Sequence, residues 1–569
     1  IDTRILGEEP VPVRHGAVIA REGLNRFTLS YAGESVSIDL NLSQGADYPN
    51  TYNLGYHDIR REYFSVLHSG QGDGWDVDHP AMSSILMHQG RIYLIDAGPN
   101  LKSILIALGI GISEVEGIFL THAHDDHFAG ITTLMLANQR IKLYAVPMVR
   151  ASAIKKLAAL IDVDEDEFSH YFDMCDLTLG RWTDIGGLEV RPFFSPHPIE
   201  TTPFLFRKMT QAGYVSYGHF ADIVSLRVLQ GMLDAEPATD AIDRRLFEGV
   251  RKDYLRRLDL KKIDVGGGLI HGDAEDFRGD RSTKLILAHT ADELTEQQLE
   301  IGAGAPFGAI DVLIAATQDY DRRNARLYLS QIFSGLPNEQ LDVLMNCPIE
   351  RVNPDTVLAR QGERPAVIYL ILRGTVENLR NDSGAMRVSV GTLLGEATAL
   401  LDEPIDTTSR AVNYVHALAI PAALYVRFVR RHRLRDQLIA IARRRQFLQY
   451  TALFGERVTH VQLNQLAQNL EEETLDAGRV FDCENSVSLH LIVTGQVMRY
   501  RGNVLIAEHG PGEYFREISS VFLLSTPYRY EVVAQTHVYK IAGSAIADVP
   551  IVRWKLLEQR KRMDQLARA

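Results

Sequence analysis

The spacing of apolar residues predicts layers of strands and helices in the first half of the chain. Between residue 83 and about residue 300, short apolar runs typical of buried strands alternate with segments of helical periodicity. Such alternation is what an α/β domain requires. The predicted strands are 83–87, 91–95, 117–120, 142–146, 188–194 and 285–289, and the predicted helices are 100–108, 148–160 and the charged segment 231–262.

The pattern changes near residue 300. After a short strand at 311–315 and a predicted helix at 328–344, short strands are separated by turn glycines, the rhythm of a jelly roll. The sequence then repeats about 120 residues later, since the run from Leu491 to Val497 matches the run from Leu370 to Val376 position by position. Two consecutive β-rolls with flanking helices therefore account for residues 327–569.

These changes of pattern divide the chain into four predicted parts. A β-rich N-terminal extension covers 1–60, an α/β domain covers 61–318, and the two rolls cover 327–446 and 447–569. The connector at 319–326 is charged and poor in apolar residues, so we expect it to be exposed and open to proteases.

Composition narrows the class of protein. The 569 residues are 46% hydrophobic and 23% charged, as in soluble globular proteins. A net charge of −13 argues against nucleic-acid and anionic-membrane partners. The three cysteines, Cys175, Cys347 and Cys483, are far apart in the sequence, so we expect no disulfide framework. We therefore expect the protein to lie in the reducing cytoplasm. The sequence begins at Ile1 without a signal-like segment, so we expect a trimmed start.

Residue types that bind metals are concentrated directly after the predicted strand at 117–120. His122, His124, Asp126 and His127 lie within six residues, and Asp125 adds a second carboxylate. On an extended loop, His122 and His124 point to the same side because side chains alternate with period two. Asp126 and His127 then begin the following helix and reach a second point. This pattern favours a metal site over a solvated polar loop.

The motif resembles the signature of the metallo-β-lactamase superfamily. Upstream, Asp96-Ala97-Gly98 matches the Asp-x-Gly that this family uses to brace the metal loop. Segments further downstream match the later motifs of this family in order, and the whole resemblance covers about residues 65–300. The resemblance implies an αββα sandwich that holds two metal ions. It implies one ion on His122, His124 and His197, a second on Asp126, His127 and His289, and Asp222 as the bridge between them.

The implied ligands decide the chemistry. Nitrogen and carboxylate ligands without a thiolate suit zinc, iron or manganese, and the sequence leaves that choice open. Two such ions about 3.5–4 Å apart lower the pKa of a shared water, so no Ser or Cys nucleophile is needed. The candidate catalytic residues are Asp126, Asp96, which would orient a ligand, and His219, which with His271 is a candidate proton donor. For both histidines, a purely structural role is the competing interpretation.

The two rolls resemble cyclic-nucleotide-binding domains, whose Gly-Glu helix and following arginine hold the sugar and phosphate. Both copies depart from that pattern, because Ile405 and Tyr528 stand where the family has the phosphate-binding Arg, and Arg516 replaces a glycine. We therefore expect both rolls to have the fold of this family without its usual affinity for cyclic nucleotides. A less polar pocket could hold another small ligand. The candidate ligand-binding residues of these degenerate rolls are Gly395, Glu396, Arg410, Glu517 and Arg529.

Three functional hypotheses follow. The first is a binuclear metallohydrolase acting on a phosphodiester, including a cyclic nucleotide, with a regulatory and dimerising C-terminal half. The second is hydrolysis of an ester, thioester or lactam at the same metals. The third is a non-hydrolytic di-iron sensor, which is weakened because di-iron relatives often carry Glu where this chain has His124. The expected partners are a small-molecule or nucleotide substrate and a second copy of the chain.

Overall fold

The computed structural model describes residues 6, 9–23, 26–40, 50–233, 242–380, 384–388, 390–455, 458–483 and 485–566. The chain forms two compact units, residues 1–53 and residues 54–569. The first unit contains one antiparallel sheet, and residues 41–49 lie outside the described part of the chain. Its strands are β1 (Val11–Pro12), β2 (Val18–Gly23), β3 (Arg26–Tyr31) and β4 (Glu34–Asp39).

The second unit begins with a sandwich of two sheets. The first sheet has seven strands in the order β10-β9-β8-β7-β6-β5-β17, and the second has six in the order β11-β12-β13-β14-β15-β16. The strands are β5 (Phe64–Gly70), β6 (Ser83–His88), β7 (Arg91–Ile95), β8 (Val115–Phe119), β9 (Ile141–Ala145), β10 (Phe172–Asp176), β11 (Thr183–Ile185), β12 (Leu188–Pro192), β13 (Phe204–Thr210), β14 (Gly213–Phe220), β15 (Leu260–Asp264), β16 (Lys284–Ala288) and β17 (Ile310–Ile314).

Helices complete the αββα arrangement of this domain. They are α1 (Leu101–Ala107), α2 (Asp125–Phe128), α3 (Ile131–Leu134), α4 (Pro147–Ile161), α5 (Leu226–Leu233), α6 (Arg244–Tyr254) and α7 (Glu296–Leu299). The prediction of helix through residue 262 is wrong at its end, because Leu260–Asp264 is a strand that pairs in parallel with β14 and β16. Part of the predicted helix, residues 234–241, lies outside the described residues.

Lys262 explains how a charged segment becomes a buried strand. Its ammonium group crosses between the two sheets and donates hydrogen bonds to the carbonyls of Gly70 and Ser83, at 2.6 and 2.7 Å. Lys261, on the other face of β15, pairs with the buried carboxylate of Asp280. Since each buried cation finds acceptors, the strand tolerates both lysines.

The connector between the α/β domain and the rolls differs from its prediction. Residues 320–332 form α8 (Tyr320–Ile332), and the expected single helix at 328–344 is split by a turn at Gly335 (φ 97°) before α9 (Asn338–Met345). The Asp321 carboxylate is buried and accepts a hydrogen bond of 2.5 Å from Arg373 of the first roll. The segment is therefore a packed helix and not an exposed linker.

The two rolls share one topology. The first consists of sheets β18-β25-β20-β23 and β19-β24-β21-β22, and the second of β26-β33-β28-β31 and β27-β32-β29-β30, the same order eight strands later. The strands are β18 (Ile349–Val352), β19 (Val357–Ala359), β20 (Val367–Arg373), β21 (Val376–Arg380), β22 (Gly384–Val388), β23 (Leu393–Leu394), β24 (Thr408–Ala411), β25 (Val415–Pro421), β26 (Glu471–Leu475), β27 (Val480–Asp482), β28 (Ser488–Thr494), β29 (Val497–Arg501), β30 (Val504–His509), β31 (Tyr514–Phe515), β32 (Tyr528–Val532) and β33 (Thr536–Ala542).

Helices connect the rolls and return the chain to the α/β domain. They are α10 (Glu396–Leu401), α11 (Ala422–Arg431), α12 (Arg435–Tyr450), α13 (His460–Gln468), α14 (Glu517–Val521), α15 (Gly543–Ala547) and α16 (Pro550–Leu566). The last of these helices packs on the α/β domain, where Ile551 N–H donates to Ala137 O and Trp554 joins that domain's core. Among the helices that the structure describes, none has both the length and the apolarity to span a bilayer.

Candidate metal centre

The ends of four buried strands bring the motif residues together. In the first sheet, Asp96 follows β7 and the loop with His122 and His124 follows β8, which is parallel to β7. In the second sheet, Asp222 follows β14 and His289 follows β16, with β15 between them in parallel. Because carboxyl ends of parallel strands meet at one edge of a sheet, all these side chains converge on one rim of the sandwich.

Three imidazoles and a carboxylate form the first cluster. His124 Nδ1 lies 3.1 Å from His122 Nε2 and 3.2 Å from His197 Nε2. The Asp222 Oδ2 oxygen lies 3.4 Å from His122 Nε2 and 3.3 Å from His197 Nε2. Burial lowers the pKa of His122 and lowers that of His197 to about 4, so both rings are neutral near pH 7, the form that binds metals.

The second cluster contains Asp126, His127, His289 and the other oxygen of Asp222. His127 Nε2 lies 3.0 Å from Asp126 Oδ2 and 2.9 Å from Asp222 Oδ1. His289 Nε2 lies 3.3 Å from each of the same two oxygens. Asp222 therefore directs one carboxylate oxygen to each cluster, the geometry expected of a bridging ligand.

The donor atoms fit two divalent cations. His127 Nε2 and Asp222 Oδ1 are buried and make no hydrogen bond among the described residues, although they lie 2.9 Å apart. Burial alone would lower the pKa of His127, but the carboxylates of Asp222, Asp126 and Asp96 raise it well above its usual value. A site that concentrates this much negative charge and unpaired nitrogen attracts a cation. Imidazole and carboxylate ligands without a thiolate suit zinc, iron or manganese.

Asp96 contacts Thr121 at the start of the metal loop and His127 at its end. Its Oδ1 accepts from the Thr121 N–H at 2.8 Å, and its Oδ2 accepts from Thr121 Oγ1 at 2.7 Å. The same Oδ2 lies 2.8 Å from His127 Nδ1, which fixes the ring so that Nε2 faces the cluster. A carboxylate behind a histidine ligand orients it and raises its basicity.

Asp264 plays a similar role that the sequence analysis missed. It ends β15, is fully buried, and holds His271 Nδ1 at 3.1 Å and His289 Nδ1 at 3.4 Å. His271 Nδ1 lies 3.9 Å from Asp222 Oδ2, so the structure brings His271 to the edge of the first cluster. The run of three glycines after Asp264 was the available signal, because it marks a strand ending in a tight loop.

His219 lies outside both clusters. It is fully buried in β14, and its Nδ1 is 2.9 Å from the Tyr217 hydroxyl. Burial and the nearby Lys262 lower its pKa well below the usual value. A buried neutral ring between the two sheets fits the structural role better than proton donation to a substrate.

Two loops border the clusters. Gly74, at φ 82°, lies so close to Asp126 that an added Cβ would stand 2.4 Å from the Asp126 Cβ. The next residue, Trp75, is 89% exposed and is held by a turn in which Asp73 accepts its N–H. On the other side, Ile270 O is 3.1 Å from His197 Nδ1, and the neighbouring Leu269 is 77% exposed.

In the first roll, two of the predicted ligand-binding residues, Glu396 and Arg410, form ion pairs with other residues of the protein. Gly395 caps α10 at φ 84°, and Glu396 forms a buried ion pair with Arg445 of α12. Arg410 pairs with Glu377 at 2.7 Å on the outer side of the roll. Ile405 is buried and lines the pocket of this roll, to which Arg443 and Arg445 also contribute.

In the second roll, the interior is filled by a side chain of the roll itself. Arg499, completely buried, donates to Glu517 at 2.9 Å and lies over the rings of Tyr528 and Tyr530, 5.3 and 5.2 Å from their centres. Arg529 pairs with Glu531 at 3.1 Å. Arg516 caps α14 in the left-handed region at φ 68°, where glycine is favoured.

Comparison with known proteins agrees with this geometry. Residues 64–221 match the family model described as anti-Pycsar protein Apyc1, and residues 349–432 match that of the cyclic nucleotide-binding domain. A cAMP/cGMP-dependent 3',5'-cAMP/cGMP phosphodiesterase B of Dictyostelium discoideum is 23% identical over 350 residues, covering 59% of this chain and 31% of that protein. A ribonuclease Z of Thermoplasma acidophilum is 23% identical over 279 residues, covering 46% of this chain and 84% of that protein.

Among solved structures, the metallo-β-lactamase fold protein YhfI from Bacillus subtilis has 14% identity and a TM-score of 0.32, covering 44% of this chain and 99% of that one. The chain spans less than a third of the phosphodiesterase that it matches. The fold class is as predicted: a two-sheet αββα sandwich is followed by β-rolls, and the first roll matches the cyclic nucleotide-binding domain model. The second roll repeats the strand order of the first, and the family-model match covers the first.

Proposed function

We propose that this chain is a binuclear metal-dependent hydrolase that cleaves phosphodiesters, with cyclic nucleotides as the favoured substrate class. The observation that carries the proposal is the position of Asp222, whose two oxygens face two separate clusters of histidines. Two divalent ions held there would activate a water molecule and neutralise the charge that develops on a phosphodiester. The matched phosphodiesterase B and ribonuclease Z, whose names denote phosphodiester cleavage, support the reaction class.

The chain's own residues supply binding and proton transfer around the clusters. Asp96 and Asp264 hold His127, His289 and His271 in fixed orientations. His271, at the edge of the first cluster, is placed to donate a proton to the leaving oxygen. Trp75 and Leu269 present apolar surface on both bordering loops, which suits a substrate with a planar base.

The proposal assigns the rolls a regulatory role and includes a homodimer. Direct packing of α16 on the catalytic domain supports regulation, because a change in the rolls reaches that domain through contacts already present. The printed name of the matched phosphodiesterase B, which calls it dependent on cAMP or cGMP, is consistent with such a role.

A substrate panel tests the reaction class. The purified chain, supplied in turn with zinc, manganese and iron, is assayed with bis-p-nitrophenyl phosphate, cAMP, cGMP, a p-nitrophenyl ester and a thioester. We expect hydrolysis of the phosphodiesters and loss of at least a hundredfold in Asp126→Asn. The matched control is Asp125→Asn, because Asp125 is the next carboxylate but is 77% exposed and pairs with Lys156. Hydrolysis of the esters alone would replace the proposal with the second hypothesis.

A further inference from the structure

The loop 71–82 joins β5 to β6 beside the metal clusters. Its tip lies at the second cluster, because Gly74 packs against the side chain of Asp126. Trp75 follows directly and is exposed. The Asp73 carboxylate accepts the Trp75 N–H at 2.9 Å, which fixes the turn that carries the indole. The loop therefore brings one exposed aromatic ring to the rim of the site.

Backbone contacts close the neck of this loop. Pro80 O accepts the N–H of Gln71 at 3.1 Å and that of Gly72 at 2.9 Å. Gln71 O in turn accepts the N–H of Thr290, the residue after His289, at 3.1 Å. A shift of the neck would therefore move the residue next to a ligand of the second cluster.

Lys262 holds both ends of the loop from the opposite sheet. Its amine donates a hydrogen bond of 2.6 Å to the carbonyl of Gly70, the last residue before the loop. It donates another, of 2.7 Å, to the carbonyl of Ser83, the first residue after the loop. A longer bond of 3.3 Å goes to Ser84 Oγ. One side chain of the second sheet thus ties together the two ends of a loop of the first sheet.

This amine has no opposite charge paired with it. Lys262 is completely buried, and no carboxylate of the described residues forms an ion pair with it, whereas its neighbour Lys261 pairs with Asp280. Burial lowers the pKa of Lys262 to about 7, since it removes the charged form from water. An apolar side chain would avoid this loss of hydration but would also lose the bonds to the two loop ends.

We propose that Lys262 is a positioning residue, which holds the loop 71–82 so that Trp75 stacks on the base of a nucleotide whose phosphate lies at the clusters. The inference rests on the proposed function and adds to it the side chain that prepares the site for its substrate. Lys262 lies outside both clusters and acts through the loop. A loop held in its binding conformation loses less conformational freedom when the substrate binds, which improves affinity.

Fluorine NMR of the full chain, labelled with 5-fluorotryptophan and loaded with metal, tests this inference without turnover. The chain has three tryptophans, and Trp75→Phe assigns the Trp75 signal. The probes are the phosphorothioate analogues of cAMP and cGMP, which resist hydrolysis. We expect at least one of them to shift the Trp75 signal. Lys262→Met should narrow that signal in the free protein, because the loop moves more, and should weaken the binding about three- to tenfold.

Hydrolysis kinetics separate a positioning role from a general loss of structure. Lys262→Met should raise KM about three- to tenfold with kcat within about twofold, because stacking stabilises substrate and transition state alike. Trp75→Ala should raise KM about fivefold or more. In the double variant KM should equal that of Trp75→Ala, since Lys262 acts through Trp75. The metal content should stay at two equivalents in all three.

Ser84→Ala is the matched control, because it removes an acceptor of the same amine but leaves both bonds to the loop ends. We expect its Trp75 signal and KM to match those of the unmodified chain. If Lys262→Met does not fold, Lys262→Gln replaces it, since the amide keeps a donor for one carbonyl, and the same direction of change is expected.

Three results would overturn the inference. They are a Trp75 signal that responds to neither analogue, a Lys262 variant with unchanged signal and affinity, and additive effects of Lys262→Met and Trp75→Ala on KM. A chain that binds an analogue at Trp75, loses affinity in Lys262→Met and hydrolyses no phosphodiester would support the inference on Lys262 and overturn the proposed reaction instead.

Discussion

At the scale of single residues, the metal centre depends on one carboxylate. Asp222 is 1% exposed and belongs to both clusters, with one carboxylate oxygen facing each. Each of the other ligands belongs to one of these two clusters. His289 belongs to the second cluster and also faces Asp264. With two ions bound as proposed, removing Asp222 would affect two coordination shells, whereas removing His197 would affect one. This asymmetry distinguishes a bridged pair of ions from two independent sites.

We predict different metal contents for two single variants. Asp222→Ala should retain less than one equivalent of metal after dialysis, and His197→Ala about one, against two for the unmodified chain with its two clusters. Mass spectrometry of the metals in the dialysed protein measures this directly. Asp125→Ala, whose carboxylate lies outside both clusters, should keep two. An Asp222→Ala protein with a full complement of metal would show that the carboxylate does not bridge.

At the scale of elements, the local sequence pattern was sufficient to predict a strand where the buried residues of that strand are apolar. The strands that deliver Asp96, His122 and His289 are apolar runs followed by polar residues, so both the elements and the motif could be predicted. Strand β15 could not, because Lys261 and Lys262 look like helix-surface residues until their buried partners are known. Asp264 at its end was missed for the same reason.

The ion pairs between distant residues in the rolls could not be predicted from the sequence either. The sequence showed that Ile405 and Tyr528 replace a cation, but it gave no sign that Glu396 and Glu517 would be paired internally. Arg445 lies 49 residues from Glu396, and Arg499 lies 18 residues before Glu517. Such contacts depend on how α12 and β29 pack against the rest of each roll, which no local pattern encodes.

His509, at the end of β30 in the second roll, predicts a dependence of stability on pH. Burial, reinforced by the charge of Arg499, lowers the pKa of His509 in β30 from its usual 6.5 to about 3. Below pH 6.5 the unfolded chain binds a proton on His509, whereas the folded chain binds it only near pH 3. The contribution of His509 to the free energy of unfolding is therefore complete above pH 6.5 and is lost as the pH falls towards 3. For this one group the loss at pH 5 is about 2 kcal/mol.

Scanning calorimetry of the full chain at pH 7.5 and pH 5 tests this contribution. His509→Gln cannot be protonated and should lose about 2 kcal/mol less between the two pH values than the unmodified chain. His537→Gln is the matched control, since His537 is exposed, with a ring that faces Thr474 on the surface of the same roll. An identical pH dependence for all three proteins would mean that His509 does not contribute.

At the scale of the whole molecule, residues 54–569 behave as one compact unit because the chain returns to its first domain. The Arg553 guanidinium of α16 makes a bidentate pair with Glu167, at 3.0 and 3.1 Å. One residue further on, the Trp554 ring lies 6.5 Å from that of Tyr171 in the catalytic domain. The connector helix α8 and a hydrogen bond from Asn413 of the first roll to Ile106 O attach the rolls to the metal-binding domain as well.

The final prediction concerns the attachment through α16. Arg553→Ala removes charge-assisted hydrogen bonds from a residue that is 4% exposed, at a cost of about 1.5–3 kcal/mol, and leaves the Glu167 carboxylate without its partner. We therefore expect faster hydrogen exchange in residues 165–171 of the catalytic domain, and faster proteolysis of α16, with little change at the metal clusters. Arg560→Ala is the matched control, because Arg560 lies on the same helix but contacts Phe522 of the second roll. If Arg553→Ala and Arg560→Ala change exchange in residues 165–171 equally, the Arg553–Glu167 pair does not attach the roll to the catalytic domain. If only Arg553→Ala does so, a substitution in the C-terminal helix reaches the metal-binding domain through this pair, as regulation by the rolls requires.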